Sequence, residues 1–298
     1  MHSTTNKIVF KDAATVILVR SSKVNDGEVF LARRHQKQSF MAGAYVFPGG
    51  QVEEADSDPR LKKYIKTADI FDLCRLLQDS SLPIEKARGF FIAAIREIFE
   101  ETGILFGGKT IGNLISLKNK ETLQRFNNYR RELNAFQITL AEIAQKEKIL
   151  FFPDALIPYA HWITPEFEKK RFNTLFFLAK LPPRQMPVAD AMELTESFWI
   201  TPQKALEMHR KKKIILMPPT LKTIEELSAF RNIKELFFAT QKKIIYPILP
   251  QLAGNILKLP HDPEYSIDAY KRPINLSEPS RILAENGVWK TAYYFESH

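Results

Sequence analysis

Glu97, Glu100 and Glu101 stand at i, i+3 and i+4 in the run Arg96-Glu97-Ile98-Phe99-Glu100-Glu101-Thr102-Gly103-Ile104. On a helix their carboxylates span only about a 100° arc of one face. Three carboxylates so crowded repel one another unless a cation sits between them. A hard divalent metal suits such a face, because it prefers oxygen ligands and keeps open positions for water and phosphate oxygens. Arg96 lies one turn before Glu100, where an i, i+4 ion pair holds the carboxylate's rotamer, so its role is support. Upstream, Phe47-Pro48-Gly49-Gly50 is a turn whose glycines let backbone approach a ligand or metal that a side chain would obstruct. Arg33 and Arg34 enter that region on a strand and suit bidentate contact with terminal phosphates. Strand alternation allows only one of the two to face the site.

These residues resemble the box of the Nudix hydrolases. Gly50 takes its first position, and Arg96, Glu97, Ile98, Glu100, Glu101, Gly103 and Ile104 fill its second half without a mismatch. The first half departs twice: Asp56 stands where the family has Glu, and 39 residues instead of seven separate it from Arg96. With Phe40-Met41-Ala42-Gly43 and Val46-Phe47-Pro48-Gly49-Gly50 ahead of it, the interrupted box is similar to that of the branch that includes a mammalian peroxisomal coenzyme A diphosphatase. The likeness runs from about Ala13 to about Leu227.

The resemblance implies an α/β Nudix fold, an α/β/α sandwich with a mixed sheet. It also implies water attack on a nucleoside diphosphate linked to another moiety, with Mg²⁺ or Mn²⁺ as cofactor. That reaction brings negative oxygens together, so cations and a positioned water carry most of it. The implied metal ligands are Glu97, Glu100 and Glu101 with the backbone carbonyl of Gly49, and one box glutamate, left open between these, orients or deprotonates the water. Asp56 would reach the cluster through a water. Several Nudix enzymes add an acidic residue from a loop ahead of a Trp. Glu193, upstream of Trp199, is the match taken here, ahead of Glu196. The catalytic candidates are thus Glu97, Glu100, Arg96 and Glu193, and the substrate-binding candidates Arg33, Arg34, Phe47 and Gly50. Coenzyme A or an acyl-coenzyme A is the substrate the branch implies. An ADP-sugar, a dinucleotide and capped RNA stand as alternatives, as does an inactive ligand-sensing or RNA-binding module.

The elements that must position these residues are legible from pattern. Ala14 to Arg20 and Val29 to Arg33 predict a hairpin about Asn25-Asp26-Gly27, and Ala44 to Phe47 a short strand ending in the Gly-Gly loop. The 57–85 insertion is charged and predicted helical from Arg60 to Gln78. Ile84 to Thr102 predicts a helix with Phe91, Ala94, Ile95, Ile98 and Thr102 on its core stripe, the carboxylates about 120° away and Gly103 as C-cap. Segment 119–148 reads helical through Phe126, Tyr129, Leu133, Phe136, Leu140 and Ile143, as a coiled or kinked helical pair capping the site, with Arg125, Arg130 and Arg131 as a solvated face. Strands are expected at 155–162, 174–181 and 198–200, and helices from Thr201-Pro202 and Pro218-Pro219. After a Nudix domain over 1–242, a Pro-punctuated extension over 243–298 reads as short strands and turns packed on the core or on a partner subunit.

Composition bounds the reading. The chain has 298 residues, 45% hydrophobic and 26% charged, enough for a substantial core. The apolar run Ala13 to Val19 is too short to span a bilayer, and residues 1–12 lack the apolar core of a signal peptide. Cys74 is the single cysteine, which excludes an intrachain disulfide and makes a reducing cytoplasm the expected location. The end Glu296-Ser297-His298 is not a Ser-Lys-Leu address. The net charge of +9 suits acidic partners, with a phosphate-bearing metabolite expected ahead of nucleic acid. No membrane partner is expected, and a homodimer is left open. His35 and His161 lack zinc-ligand spacing, and Arg210-Lys211-Lys212-Lys213 reads as a solvated helix end.

Overall fold

Strand β1 (Lys11–Arg20) carries Ala14, Val16 and Leu18 on one face and Ile17 and Val19 on the other, all buried. A strand apolar on both faces must be covered on both. The computed structural model describes residues 10–22, 27–36, 41–66, 72–79, 81–110, 112–190 and 194–296. In chain order β1 is followed by β2 (Glu28–Arg34), β3 (Tyr45–Val46), β4 (Gly49–Gln51), α1 (Asp72–Leu76), α2 (Ile84–Thr102) and β5 (Gly107–Gly108). Next come α3 (Lys120–Asn134), α4 (Leu140–Glu147), β6 (Leu150–Phe151), β7 (Leu156–Ile163), β8 (Phe172–Lys180) and β9 (Leu194–Ile200). Helices α5 (Pro202–Arg210), α6 (Pro218–Ser228) and α7 (Ile233–Thr240) precede β10 (Pro247–Ile248), β11 (Gln251–Ala253), β12 (Ile256–Lys258), β13 (Arg281–Glu285) and β14 (Val288–Ala292).

The main sheet is mixed, in the order β10-β7-β8-β1-β2-β3, with β4 pairing β1 and β9 pairing β2. The β1–β8 and β10–β7 pairs are parallel and the rest antiparallel. Helices α2, α3 and α4 and the insertion pack on the face of Ala14, Val16 and Leu18. Helices α5, α6 and α7 cover the face of Ile17 and Val19. The result is the expected α/β/α sandwich.

Helix α2 spans the predicted residues, and Gly103 caps it in the left-handed region at φ 75°. Burial extends beyond the predicted stripe to Phe90, Ile92 and Ala93, because α2 lies between the sheet and the insertion. The insertion itself corrects the expectation of one helix over 60–78. After a 3₁₀ turn at Glu54–Ser57 that leads into it, its described residues hold a second 3₁₀ turn at Pro59–Lys63 and the short α1. The chain extends at Tyr64–Lys66 to pair with β6: Phe151 donates to the Tyr64 carbonyl at 2.7 Å and Lys66 to that of Phe151 at 2.9 Å. A second correction concerns Phe136, which is 81% exposed in a left-handed turn. The apolar spacing there runs across a break, where Thr139 and Glu142 form a capping box that starts α4.

The segment after residue 242 packs on this core. β10 extends the main sheet beside β7, and β11–β14 form a four-stranded antiparallel meander. Thr291 Oγ1 donates to Glu225 Oε1 of α6 at 2.7 Å, and His209 Nε2 of α5 lies 2.8 Å from the Trp289 carbonyl. The Asn25-Asp26-Gly27 turn falls partly, and Phe40 and Glu193 wholly, outside the described residues.

Candidate active site

The site lies where β4 runs past the last two turns of α2. In the β1–β4 ladder Val16 donates to the Pro48 carbonyl and Val52 to that of Asp12, both at 2.8 Å, so the alternate residues Gly49 and Gln51 turn their backbone away from β1. Gly49 N–H donates to Glu101 Oε2 at 2.9 Å, and the Gln51 carbonyl accepts from Arg96 Nη2 at 2.7 Å. The Gly49 carbonyl shares the edge of its N–H and so faces α2. A Cβ on Gly50 would lie 2.5 Å from Glu97 Oε1, and one on Gly49 2.3 Å from the Ala14 carbonyl. No other residue fits either position without moving the site.

Arg96 is the hub. Its Nε and Nη2 donate to Asp56 Oδ1 and Oδ2 at 2.9 and 3.0 Å, a bidentate pair in which Asp56 is 1% exposed. Its Nη1 donates at 2.8 Å to both Glu97 Oε1 and Glu100 Oε2. Asp56 also accepts from Glu53 N–H at 2.8 Å. Asp56 therefore holds Arg96 directly, and meets the box carboxylates through that guanidinium. With one guanidinium shared by three carboxylates, negative charge is in excess. Burial pushes Glu97 up to about 8, against the pull of Arg96 and with the repulsion of Glu100 added. Burial likewise pushes Glu100 up to about 7, with Arg96 opposing and Glu53 and Asp56 adding to the rise. Burial works against the charge on Arg96, but Glu97, Asp56 and Glu100 outweigh it and hold the guanidinium well above its usual range.

Of these groups Glu97 borders a cavity of about 450 Å³, together with Gly49, Gly50, Glu53 and Arg34; Arg96, Asp56, Glu100 and Glu101 stand behind that lining. The apolar part of the lining includes Trp162, Phe176, Pro250, Leu257 and Trp289. That combination is typical of a small-molecule site.

The sequence pattern described as the NUDT19 Nudix domain matches residues 10–227, well over half of the chain. The chain belongs to the Nudix hydrolases, in the NUDT19 branch. It is 29% identical to the acyl-coenzyme A diphosphatase NUDT19 of Xenopus laevis over 245 residues, covering 73% of this chain and 64% of that protein. The Gallus gallus protein of the same name is 27% identical, over 81% of this chain and 75% of its own. The chain thus spans just under two thirds of the Xenopus relative's length. A Nudix hydrolase from Alicyclobacillus acidocaldarius shares the fold with a TM-score of 0.63 at 20% identity, over 79% of this chain and 97% of its own. Membership implies dependence on a divalent cation.

Among the described residues of this Nudix chain, no three His, Cys, Asp or Glu side chains already form a cation cage. Glu97 and Glu100 lean on Arg96 and Glu101 on Gly49 N–H. The donor chemistry nevertheless fits a hard divalent ion: all the donors are oxygens, and two of them are carboxylates that lack a full counter-charge. Of the arginine pair, Arg34 borders the cavity. Arg33 is not part of that lining, since alternation turns it toward Glu196 at 4.0 Å. Glu196 also accepts from Tyr45 Oη at 2.7 Å. Phe47 and Gly50 both line the cavity. Arg130 corrects the expectation of a solvated face: it is 9% exposed, and its Nε donates to the Glu100 carbonyl at 2.6 Å. There it satisfies the end of α2 and complements the helix dipole. Arg125 stays at the surface, paired with Glu147. Sequence reasoning missed Glu53 and the walls from beyond residue 242. Glu53 carried a readable signal as an acidic residue three positions after Gly50; Leu257 and Trp289 carried none.

No helix among the described residues is long and apolar enough to cross a membrane.

Proposed function

We propose that this Nudix chain hydrolyses the diphosphate bond of coenzyme A or an acyl-coenzyme A, releasing 3′,5′-ADP and the 4′-phosphopantetheine portion. One observation carries the reading: Glu97, a buried carboxylate short of counter-charge, lines the same cavity as the apolar side chains Trp162, Phe176, Leu257 and Trp289. A charged diphosphate and a less polar arm need both kinds of lining. The names of the Xenopus and Gallus relatives point to the same substrate class.

Glu97, Glu100 and Glu101 with the Gly49 carbonyl would hold Mg²⁺ or Mn²⁺. Such an ion, when bound, supplies Lewis acidity and counter-charge for the phosphate oxygens. The chain's own groups set up the rest. Asp56 and the Gln51 carbonyl fix Arg96, and Arg96 fixes the rotamers of Glu97 and Glu100. One of these glutamates would orient or deprotonate the attacking water, the choice between them being left open. Arg34 at the cavity edge is the candidate for a phosphate oxygen. Glu193 stands as an additional acid ahead of β9.

The test is mass spectrometry of products after incubation with Mg²⁺ or Mn²⁺ and a mixture of coenzyme A, acetyl-coenzyme A, ADP-ribose, NADH, a dinucleoside polyphosphate and capped RNA. 3′,5′-ADP is expected. AMP or a cap nucleotide would assign another Nudix substrate class, and survival of every compound would favour a binding module.

A further inference from the structure

The family pattern ends at residue 227, yet the cavity does not. Its lining also includes Pro250, Leu257 on β12 and Trp289 on β14, together with Trp162 of β7 and Phe176 of β8. Trp162, Phe176 and Leu257 are 4–6% exposed, so their side chains are fixed by packing. Trp289 is held from behind. Its carbonyl lies 2.8 Å from His209 Nε2, and two residues on Thr291 donates to Glu225 at 2.7 Å. The residue is also in register with Ala284 of β13, on a strand whose other partner residues tie it to the meander.

We propose that Leu257 and Trp289 form a substrate-selecting wall, a subsite for an apolar chain carried on the far side of the diphosphate. The assignment rests on the coenzyme A reading for the identity of that chain, an acyl group on the pantetheine thiol. The wall shares its cavity with the box: Glu97, Gly50 and Arg34 line the same cavity as Leu257 and Trp289. A substrate anchored by its diphosphate at Glu97, Gly50 and Arg34 would lay its remaining arm along this wall. Each methylene that leaves water there improves binding by up to about fourfold.

The test compares kcat/KM of the full chain for coenzyme A and for its acetyl, butyryl, hexanoyl and octanoyl thioesters. The wild type is expected to gain with chain length. Leu257→Ala and Trp289→Ala should flatten that gain, so that the octanoyl-to-acetyl ratio falls about tenfold, while Trp289→Phe keeps most of it. If Trp289→Ala does not fold, as judged by its melting transition, Leu257→Ala and Trp289→Leu carry the same comparison. A wild type with no length dependence overturns the wall, as does an unchanged slope in the variants. If no thioester is cleaved, the substrate reading fails by itself, and the wall is judged by calorimetric binding of S-acyl-pantetheines, which lack the diphosphate. Length-dependent binding lost in Leu257→Ala upholds it, and length-independent or undetectable binding overturns it.

Discussion

Asp56 and Arg96 form a bidentate pair with almost no exposure, and nothing in their spacing announces it. The carboxylate triplet was legible because a helix turns i, i+3 and i+4 to one side whatever surrounds it. The partner of Arg96 was not, because 39 intervening residues hide a contact that only the folded insertion creates. Removing Asp56 leaves Arg96 paired with Glu97 and Glu100 but strips its buried Nε and Nη2 of their bidentate acceptor, so Asp56→Ala is expected to cost about 1–3 kcal/mol in a urea titration. Glu100→Gln keeps the shape but cannot take a proton or carry charge. On the proposed mechanism it should lower kcat by about 10²- to 10⁴-fold with little change in the melting temperature. Gly50→Ala should be inactive for a steric reason, since its methyl group would occupy the place of the Glu97 carboxylate. Retention of wild-type kcat by either variant would place the chemistry elsewhere.

At the level of elements, α2 was the most legible, because its apolar period, its length and its glycine cap agree with one another. The insertion was the least, because pairing with β6 overrides helix propensity at Tyr64–Lys66. The helices α3 and α4 form the pair expected between 119 and 148; the place of their break lay in the sequence as Thr139-x-x-Glu142, a signal the apolar spacing through Phe136 runs across. The end of α2 is built from two directions, by Gly103 within the chain and by Arg130 from α3. Gly103→Ala forces a Cβ into the left-handed region and is expected to cost about 1 kcal/mol, read as a lower denaturation midpoint. Arg130→Met should cost more, because it also strips the buried Glu100 carbonyl of its short hydrogen bond.

Across the whole molecule, the charge stored at the box makes stability depend on pH. Glu97 and Glu100 sit at about 8 and about 7 in the folded chain, against an ordinary value of 4.5. Between those values the folded chain holds protons that the unfolded chain releases, so stability is highest at the acid end of the window and falls as pH rises. In a chelating buffer the denaturation midpoint should therefore drop from about pH 5 to about pH 8, and Glu97→Gln should shallow the slope. A flat profile would mean that the two carboxylates are better compensated than their surroundings indicate. The sandwich itself was legible from strand and helix order, whereas the path of the segment after residue 242 was not, since short Pro-bounded strands pack by tertiary contact alone. The parallel pairing of β1 with β8 spans nine residue pairs and joins positions 11–19 to 172–180. A ribosome delivers β1 before β8, and β1 cannot be flanked on both edges until some 160 further residues have been made. The enclosing wall at Trp289 comes later still. During synthesis the apolar centre of the sheet is thus made long before it can be sheltered, which gives nascent-chain chaperones reason to hold β1.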